Sequence, residues 1–340
     1  MGFQITDGLN FISKQNFARL RNAAQVYSSF KISKIYSRVH HQGMPLSISI
    51  EPTTSCNLRC PECPSGLRSF TRPTGRMKIE LAESIINQLA PTLSYLIFYF
   101  QGEPFLHPQL LEMIQMASSR KIYTAISTNA HFLNEQTARK TVESGLDRLI
   151  ISIDGTTQET YESYRIGGKL DKVIEGTKNI VRLKKELKSR TPHIIFQFLV
   201  VKPNEHQIND VRKMASELGV NELKLKTAQI YEYENGSELI PTIEKYSRYK
   251  KNTNGTYSIK NQWADECWKM WHSCVVTWDG KVVPCCFDKD AHYVLGDLNQ
   301  STFKEIWEGE KYKQFRQTLF SARSSIDMCR NCSEGSTVFS

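Results

Sequence analysis

Between residues 46 and 228, short runs of β-branched and aromatic residues alternate with segments whose apolar residues recur at helical spacing. This alternation is typical of repeated βα units, and it predicts an α/β fold built on a parallel sheet. The segment from Ile208 to Leu218 has the clearest helical spacing, and Gly219 follows it as the expected C-cap. Six strands are expected, at Leu46 to Ile50, Ser94 to Phe100, Ile122 to Ser127, Arg148 to Ile153, His193 to Val201 and Glu222 to Thr227.

The pattern changes after the sixth strand. Residues 229–262 show no clear period, which indicates an extended linker. Beyond them, two apolar runs flank Asp279-Gly280, a dipeptide that favours a tight hairpin turn, and a helix is expected from Thr302 to about Phe320. The predicted organisation is an N-terminal extension at 1–45, a main α/β domain at 46–230, a linker at 231–262 and a small C-terminal domain at 263–340.

The N-terminal extension is basic and loosely amphipathic. Residues 1–45 contain six Lys or Arg and a single Asp, Asp7. We expect helices that pack on the main domain, and the alternative is a role in docking to a membrane surface or to a substrate.

Composition excludes several classes of protein. The 340 residues are 40% hydrophobic and 23% charged, which is close to a globular average and excludes wholesale disorder, collagen and coiled coil. The net charge of +9 does not by itself imply nucleic acid, and no nucleic-acid partner is expected. The longest apolar run, Tyr95 to Phe100, is too short to cross a bilayer, and the N-terminus lacks the apolar core of a signal peptide. A cytoplasmic protein without a transmembrane segment is expected.

Nine cysteines change this picture, because a chain among cytosolic reductants does not keep them for disulfides. They are grouped, which indicates metal binding. Cys56, Cys60 and Cys63 lie just after the first predicted strand, at the edge of a parallel sheet where active sites form. Three thiolates can hold three irons of a 4Fe-4S cluster and leave the fourth iron open. The alternatives are a partial zinc site or three incidental thiols.

The CxxxCxxC spacing after a first strand resembles the radical S-adenosylmethionine (SAM) superfamily, over about residues 46–230. The resemblance implies a partial (β/α)6 barrel in which the open iron binds SAM. Reductive cleavage of SAM then produces methionine and a 5′-deoxyadenosyl radical that abstracts hydrogen from a substrate, with electrons from a partner such as flavodoxin or ferredoxin. Glu62 departs from the family pattern, because the residue before the third cysteine is commonly aromatic and near adenine.

The same resemblance assigns SAM contacts to residues at the ends of further strands. The segment Gln101-Gly102-Glu103-Pro104 is similar to the family's GGEP motif, in which a carboxylate holds the SAM ammonium. Related enzymes place hydroxyl and amide groups on SAM where this chain has Ser127, Asn129, Ser152 and Asp154. Arg165 resembles an arginine directed at the SAM carboxylate, and Val200 could pack on adenine. Each of these residue types is also common in turns, on helix surfaces or in cores.

A second cysteine group comprises Cys267, Cys274, Cys285, Cys286, Cys329 and Cys332. Twelve residues separate Cys267 from Gly280, four separate Gly280 from Cys285, and a CxxC pair follows at Cys329 and Cys332. This spacing resembles the C-terminal SPASM or twitch extension of radical SAM enzymes, which holds auxiliary 4Fe-4S clusters. No cysteine follows Cys332, so the resemblance implies the shorter twitch form with one auxiliary cluster. Cys274 and Cys286 are expected to be bystanders, although either could replace a ligand, and a four-thiolate zinc site is the alternative. The expected ligands of the auxiliary cluster are Cys267, Cys285, Cys329 and Cys332.

These features favour a radical SAM oxidoreductase that dehydrogenates a small molecule and passes the second electron to the auxiliary cluster. A ribosomal-peptide maturase is the alternative within the family, and a non-catalytic iron–sulfur or zinc protein is the alternative from another class. The sequence assigns no general base. Candidates near the sixth strand are Lys226, Tyr231, Glu232 and Glu234.

Overall fold

The computed structural model describes residues 2–260 and 264–332. The end points of the predicted C-terminal domain, 263 and 340, therefore lie outside the described residues. The strands are β1 (Ser47–Ile50), β2 (Tyr95–Ile97), β3 (Tyr123–Thr128), β4 (Arg148–Ser152), β5 (His193–Val200), β6 (Glu222–Thr227), β7 (Tyr249–Lys251), β8 (Tyr257–Ile259), β9 (Ser273–Val276), β10 (Lys281–Val283) and β11 (Gly296–Asp297). Nine of them form one sheet in the order β11-β10-β9-β1-β2-β3-β4-β5-β6.

Strands β1 to β6 are parallel and adjacent in chain order, which confirms the six predicted strands and forms the partial barrel. Parallel neighbours need crossover connections, and helices supply them. The helices are α1 (Gly2–Ser13), α2 (Phe17–Tyr36), α3 (Pro64–Leu67), α4 (Ile79–Leu89), α5 (Leu110–Ser119), α6 (Glu135–Glu143), α7 (Gln158–Tyr164), α8 (Leu170–Glu186), α9 (Ile208–Glu217), α10 (Lys269–His272), α11 (Phe303–Trp307), α12 (Glu310–Ala322) and α13 (Asp327–Arg330).

The crossover helices bury the faces that their sequences predict. In α4, Ala82, Ile85, Ile86 and Leu89 recur at helical spacing, and all four are fully buried. The helix predicted before the sixth strand is confirmed as α9, and Gly219 lies just beyond it with a φ of +73°. Apolar helix faces packed on parallel strands thus form the core of the barrel.

The predicted hairpin around Asp279-Gly280 is confirmed as β9 and β10. Strand β9 also pairs in parallel with β1, so the hairpin extends the barrel sheet. A buried ion pair reinforces this junction. The two terminal nitrogens of Arg72, Nη1 and Nη2, donate to the Glu51 carboxylate at 2.8 and 2.6 Å. The Trp278 backbone N–H donates to the same carboxylate at 3.2 Å. The end of β1 is therefore tied to the turn of the hairpin.

Two predictions about the C-terminal third were wrong in detail. The segment 229–262, predicted as a linker, contains the antiparallel pair β7 and β8, whose three-residue strands are too short to show a period. The helix predicted from Thr302 to Phe320 is two helices, α11 and α12. Gly309 is the extended N-cap of α12, and it interrupts an apolar pattern that looks continuous in sequence.

The N-terminal helices pack on the barrel, as expected. Helix α1 lies at the amino-terminal ends of the strands, because Asp7 pairs with Arg148, the first residue of β4. Asn10 and Lys14 bind the adjacent Asp147 carboxylate at 2.8 and 2.5 Å. No helix within the described ranges is long and apolar enough to span a bilayer.

Candidate active site

A cavity of about 200 Å³ lies at the carboxyl ends of the parallel strands. The loops that follow β1, β2, β3 and β4 all contribute to it. Sequence-predicted residues that line it are Cys56, Cys60, Cys63, Gly102, Glu103, Ser127, Asn129, Ser152 and Arg165. The structure therefore brings together most of the predicted cofactor residues.

The three cysteines of the first group occupy one tight loop. The Leu58 backbone N–H donates to the Cys56 sulfur at 3.4 Å, and the Cys63 N–H donates to the Cys60 carbonyl at 3.3 Å. Helix α3 begins directly after Cys63. Burial raises the pKa of the Cys56 thiol to about 12, so a thiolate at this position needs a cation such as iron to stabilise it.

The Gln101–Pro104 turn is fastened to the cysteine loop. The Gly102 N–H donates to the Ser65 hydroxyl at 2.8 Å, and the Glu103 N–H donates to the Ser55 carbonyl at 2.7 Å. Gly102 has a φ of +75°, and a Cβ there would lie 2.3 Å from the Thr53 carbonyl oxygen. Only glycine fits this approach of two backbones.

The Gln101 and Pro104 side chains are buried outside the cavity lining. Gln101 Oε1 lies 3.9 Å from the Cys63 sulfur. Pro104 begins a single 3₁₀ turn that carries the chain away from the site. These two residues therefore support the loop, whereas Gly102 and Glu103 face the cavity.

Glu103 is the buried carboxylate of the cavity. It accepts hydrogen bonds from the Thr128 hydroxyl at 2.7 Å and from the Asn129 N–H at 2.8 Å. Burial raises the pKa of Glu103 to about 6, although these hydrogen bonds act in the opposite direction. The carboxylate is thus held in a fixed orientation where a cationic group would stabilise its charge.

Polar groups at the ends of β3 and β4 complete one wall. Ser127 and Ser152 line the cavity, and the Asn129 side-chain amide donates to Asn57 Oδ1 at 2.7 Å. Asn57 belongs to the cysteine loop, so this bond ties the third strand to the first. Sequence reasoning identified Asn129 but not its partner, because nothing local to Asn57 distinguishes it from other turn residues.

Arg165 and Asp154 form an ion pair beside the cysteines. Arg165 Nε donates to Asp154 Oδ2 at 2.5 Å, and Arg165 Nη1 lies 3.7 Å from the Cys60 sulfur. Asp154 also accepts from the Leu199 N–H at 2.7 Å, and it does not line the cavity. Asp154 therefore orients Arg165 instead of facing the cofactor space.

Val200 does not line the cavity either. It is fully buried in the main core, and its neighbour Leu199 lines the cavity instead. Successive side chains of a strand point to opposite faces. An error of one residue in a predicted site position therefore selects a core residue in place of its cavity-lining neighbour. Tyr99, Phe100 and Tyr164 are further lining residues that sequence reasoning missed.

The second cysteine group gathers around Arg323. Cys267, Cys329 and Cys332 are buried, and Arg323 Nη2 lies 3.7 Å from the Cys332 sulfur. Burial opposes the charge of Arg323, but Cys267, Cys332 and Cys329 together raise its pKa above the ordinary value. One guanidinium thus lies within electrostatic reach of three of the four predicted ligands.

The neighbours Cys285 and Cys286 have different surroundings. The Cys285 sulfur lies 3.9 Å from the Met328 sulfur, one residue before Cys329. Cys286 is exposed, and Lys269 Nζ lies 3.7 Å from its sulfur. Cys274 is buried in β9, within the main core. Cys285 therefore faces the segment that carries Cys329, whereas Cys286 lies beside Lys269 and Cys274 packs in the main core.

A second cavity, of about 450 Å³, is lined by residues that adjoin both cysteine groups in the chain, and none of the described cysteines lines it. Pro64 and Leu67 follow Cys63, residues 287–293 follow Cys285 and Cys286, and Met328 precedes Cys329. Tyr231 also lines it, but Lys226, Glu232 and Glu234 do not. Sequence reasoning missed Lys289, whose ammonium lies 4.6 Å from the centre of the Tyr231 ring.

Comparison with known proteins agrees with this architecture. Residues 50–215 match the radical SAM superfamily, and residues 267–333 match SPASM, an iron–sulfur cluster-binding domain. The fold and the site define an iron–sulfur enzyme that uses SAM. The chain belongs to the radical SAM superfamily and carries a C-terminal SPASM domain.

Its relatives differ in what they act on. The chain is 26% identical over 316 residues to a tungsten-containing aldehyde ferredoxin oxidoreductase cofactor-modifying protein of Pyrococcus furiosus, covering 84% of this chain and 86% of that protein. The structure of BtrN with AdoMet and 2-DOIA is similar (TM-score 0.54, 20% identity, 86% of this chain and 94% of that one). The structure of SuiB of Streptococcus suis bound to the precursor peptide SuiA is also similar (TM-score 0.63, 14% identity), and the match covers 93% of this chain and 76% of that one.

Membership of this family decides several expectations. The chain is an enzyme, so the alternative of a non-catalytic electron-transfer or scaffold protein is wrong. SAM and a 4Fe-4S cluster in the barrel, together with iron–sulfur binding in the SPASM domain, follow from the class. The same class requires a substrate and a reductant.

Proposed function

We propose that this radical SAM enzyme oxidises a small molecule by two electrons. The observation that carries the proposal is the 450 Å³ cavity, because its lining includes chain neighbours of both cysteine groups, Pro64 after Cys63 and Met328 before Cys329. With SAM and its cluster bound, the barrel of such an enzyme supplies a 5′-deoxyadenosyl radical that abstracts a hydrogen atom. Residues 46–230 would serve this step, and the C-terminal domain would accept the second electron.

In this proposal Cys56, Cys60 and Cys63 hold the barrel cluster and leave one iron for SAM. The chemistry of the surrounding donors fits that ligand. The buried Glu103 carboxylate suits an ammonium group. The Arg165 guanidinium, which Asp154 holds in place, suits a carboxylate. The remaining SAM-facing groups would be the hydroxyls of Ser127 and Ser152 and the amide of Asn129, with Gln101, Gly102 and Pro104 shaping the loop.

One auxiliary 4Fe-4S cluster would be held by Cys267, Cys285, Cys329 and Cys332. Arg323 supports this assignment, since a cation among thiolates offsets the negative charge of a cluster with four cysteine ligands. The alternative is a four-thiolate zinc site. Iron and zinc analysis of the purified protein separates the two assignments.

Lys289 is our candidate for the proton acceptor. Its ammonium has no ion pair or hydrogen bond among the described residues, and burial lowers its pKa below the ordinary value despite nearby acidic groups. Burial instead raises the pKa of Tyr231, which leaves this phenol protonated at neutral pH. Lys289 is therefore a better base than Tyr231 at neutral pH.

A two-electron oxidation needs an acceptor for a hydrogen atom, an acceptor for a proton and an acceptor for a further electron around the cavity. Conversion of a secondary alcohol to a ketone removes one hydrogen atom, one proton and one further electron. The radical supplied at the cluster that Cys56, Cys60 and Cys63 would hold would take the hydrogen atom, and Lys289 would take the proton. The cluster that Cys267, Cys285, Cys329 and Cys332 would hold would take the electron. A flavodoxin or ferredoxin would supply the electron that cleaves SAM.

The proposal is tested by anaerobic reconstitution with iron, sulfide, SAM and dithionite. Formation of 5′-deoxyadenosine and methionine is expected, and their absence would contradict the enzyme chemistry. Extracts of deuterium-labelled cells, separated by size into metabolites and peptides, then serve as substrate pools. Deuterium in 5′-deoxyadenosine from the metabolite pool alone supports a small-molecule substrate.

Paired variants distinguish the roles of the two clusters. Cys60→Ala should abolish SAM cleavage, whereas Cys329→Ala should retain part of it and block full substrate turnover. Lys289→Gln should retain both iron contents and SAM cleavage and lose product. Equal loss of SAM cleavage in folded Cys60→Ala and Cys329→Ala proteins would contradict separate roles.

A ribosomal peptide is the second candidate substrate. A cleft of about 790 Å³ lies beside the β7–β8 pair and includes Lys250 and Tyr257. A two-stranded sheet beside a cleft can accept an extended peptide as an added strand. Deuterium transfer from the peptide pool alone would favour this candidate and would overturn the small-molecule proposal.

A further inference from the structure

Helix α1 turns polar side chains toward the barrel and aliphatic side chains toward solvent. Its polar residues Asp7 and Asn10 face the barrel, where they bind Arg148 and Asp147. Its aliphatic residues face solvent, since Ile5, Leu9 and Ile12 are 62%, 61% and 64% exposed. These three residues are spaced by four and three positions, so they share one face of the helix. A helix that only packed on the barrel would show the opposite pattern.

Helix α2 packs Val26 and Phe30 in the core, but it also buries a cation and exposes other apolar side chains. Arg19 is only 1% exposed and donates to the carbonyls of Ala90 and Arg120, each at 3.0 Å. Phe17 and Ile35 are 81% and 75% exposed. Among the described residues, nine of the fourteen exposed large apolar side chains lie between Ile5 and Tyr36. The apolar exposure of the molecule is thus concentrated on these two helices.

The charges on this surface are all positive. Arg21, Lys31 and Arg38 are exposed, and the described part of the chain offers none of them an ion pair. No Asp or Glu occurs between Gly8 and Ile50 in the sequence. We call the outward face of α1 and α2, residues 5–38, the N-terminal face.

We propose that the N-terminal face docks on an anionic lipid bilayer as a peripheral, non-spanning contact. Aliphatic and aromatic side chains would enter the acyl boundary while Arg and Lys contact anionic headgroups. A second copy of the chain fits less well, because a two-fold contact would bring Arg and Lys of both copies together without a carboxylate. Since α1 covers the amino-terminal ends of the strands, docking would leave the cofactor cavity at their carboxyl ends accessible.

The test is co-sedimentation of the full chain, with its clusters reconstituted, on vesicles. Binding is expected to mixed phosphatidylglycerol–phosphatidylcholine vesicles, to weaken with salt, and to be at least about tenfold weaker to phosphatidylcholine alone. The variant Leu9→Glu/Ile35→Glu should lose binding by at least about tenfold, and Arg21→Gln/Lys31→Gln should lose about fivefold per cation. Leu187→Glu, at an exposed apolar position elsewhere, is the matched control and should bind normally.

SAM cleavage should be unchanged in every variant, which shows that each remains folded. Absence of vesicle binding, or equal binding to neutral and anionic vesicles, would overturn the proposal. A dimer that Leu9→Glu/Ile35→Glu dissociates would assign the face to a second copy. Binding to immobilised polyglutamate without vesicle binding would assign it to an acidic protein. Both of these outcomes also overturn it.

Discussion

Asp154 holds Arg165 in place beside the cysteine loop. The two side chains meet at 2.5 Å, the Asp154 side chain is fully buried, and Arg165 remains 17% exposed toward the cavity. Burial acts against the Arg165 charge, but Asp154 outweighs it and keeps the pKa of Arg165 well above its usual range. Asp154 thus acts on the cavity through Arg165, which lines it.

The first prediction concerns Asp154→Asn. The amide retains an acceptor for the Leu199 N–H but leaves Arg165 without its counter-charge, so we expect a loss of about 3 kcal/mol in the free energy of unfolding and weaker SAM binding. Urea unfolding and equilibrium dialysis of labelled SAM measure the two effects. Glu135→Gln, which breaks an exposed pair with Arg182, is the control and should cost less than about 1 kcal/mol.

The second prediction is a pH dependence that originates at Glu103. Its pKa is raised from 4.5 to about 6 in the folded chain, so ionising it there costs about 2 kcal/mol, fully incurred above about pH 6. A bound ammonium prefers the ionised form. SAM affinity should therefore fall as the pH drops below about 6 and stay level from there to about pH 7, where the α-amino group of SAM is still an ammonium. Dialysis across this range measures the profile. Glu103→Gln should bind weakly at every pH, and an unchanged profile in that variant would contradict the assignment.

The third prediction uses two adjacent cysteines. Cys285→Ala should lose the iron of the auxiliary cluster, about four atoms per chain, whereas Cys286→Ala should keep it. The reason is that Cys285 faces the segment that carries Cys329 and Cys286 is exposed beside Lys269. Iron analysis and electron paramagnetic resonance of anaerobically reconstituted proteins measure the difference. The reverse result would exchange the ligand assignments.

The fourth prediction separates backbone strain from close contact. Gly102 and Gly167 both have positive φ, at +75° and +80°, but a Cβ meets backbone only at Gly102. Gly167→Ala should cost about 1–2 kcal/mol from the left-handed conformation alone. Gly102→Ala should cost more and should also reduce SAM binding, because the turn that carries Glu103 must move. Equal losses in both variants would show that the contact with the cysteine loop is unimportant.

The sequence alone was enough to predict the barrel and the grouping of the cofactor residues. Cys56, Glu103 and Asn129 all follow strands, and the carboxyl ends of neighbouring parallel strands meet at one edge whatever the details of packing. The Gly102 position was predictable for a similar reason, since a local turn motif specifies it. The roles assigned to these residues remain predictions, and the experiments above test them.

Side-chain orientation at the site was less predictable. Leu199 and Val200 are adjacent and equally apolar, so only the observed register shows that Leu199 lines the cavity. Asp154 was expected to contact SAM, whereas the structure places it against Arg165, eleven residues further along the chain. Periodicity identifies a strand but does not specify its phase when both faces are buried.

What the sequence by itself determined is therefore everything that a local pattern encodes: the six parallel strands, the cysteine loop, the hairpin turn and the cysteine spacing. The tertiary structure decided what depends on contacts between distant segments. It placed β9 against β1, Lys289 against Tyr231, and the apolar side of α1 toward solvent. The physical reason is that such contacts are stabilised by partners more than fifty residues away, which no local pattern of polar and apolar positions encodes.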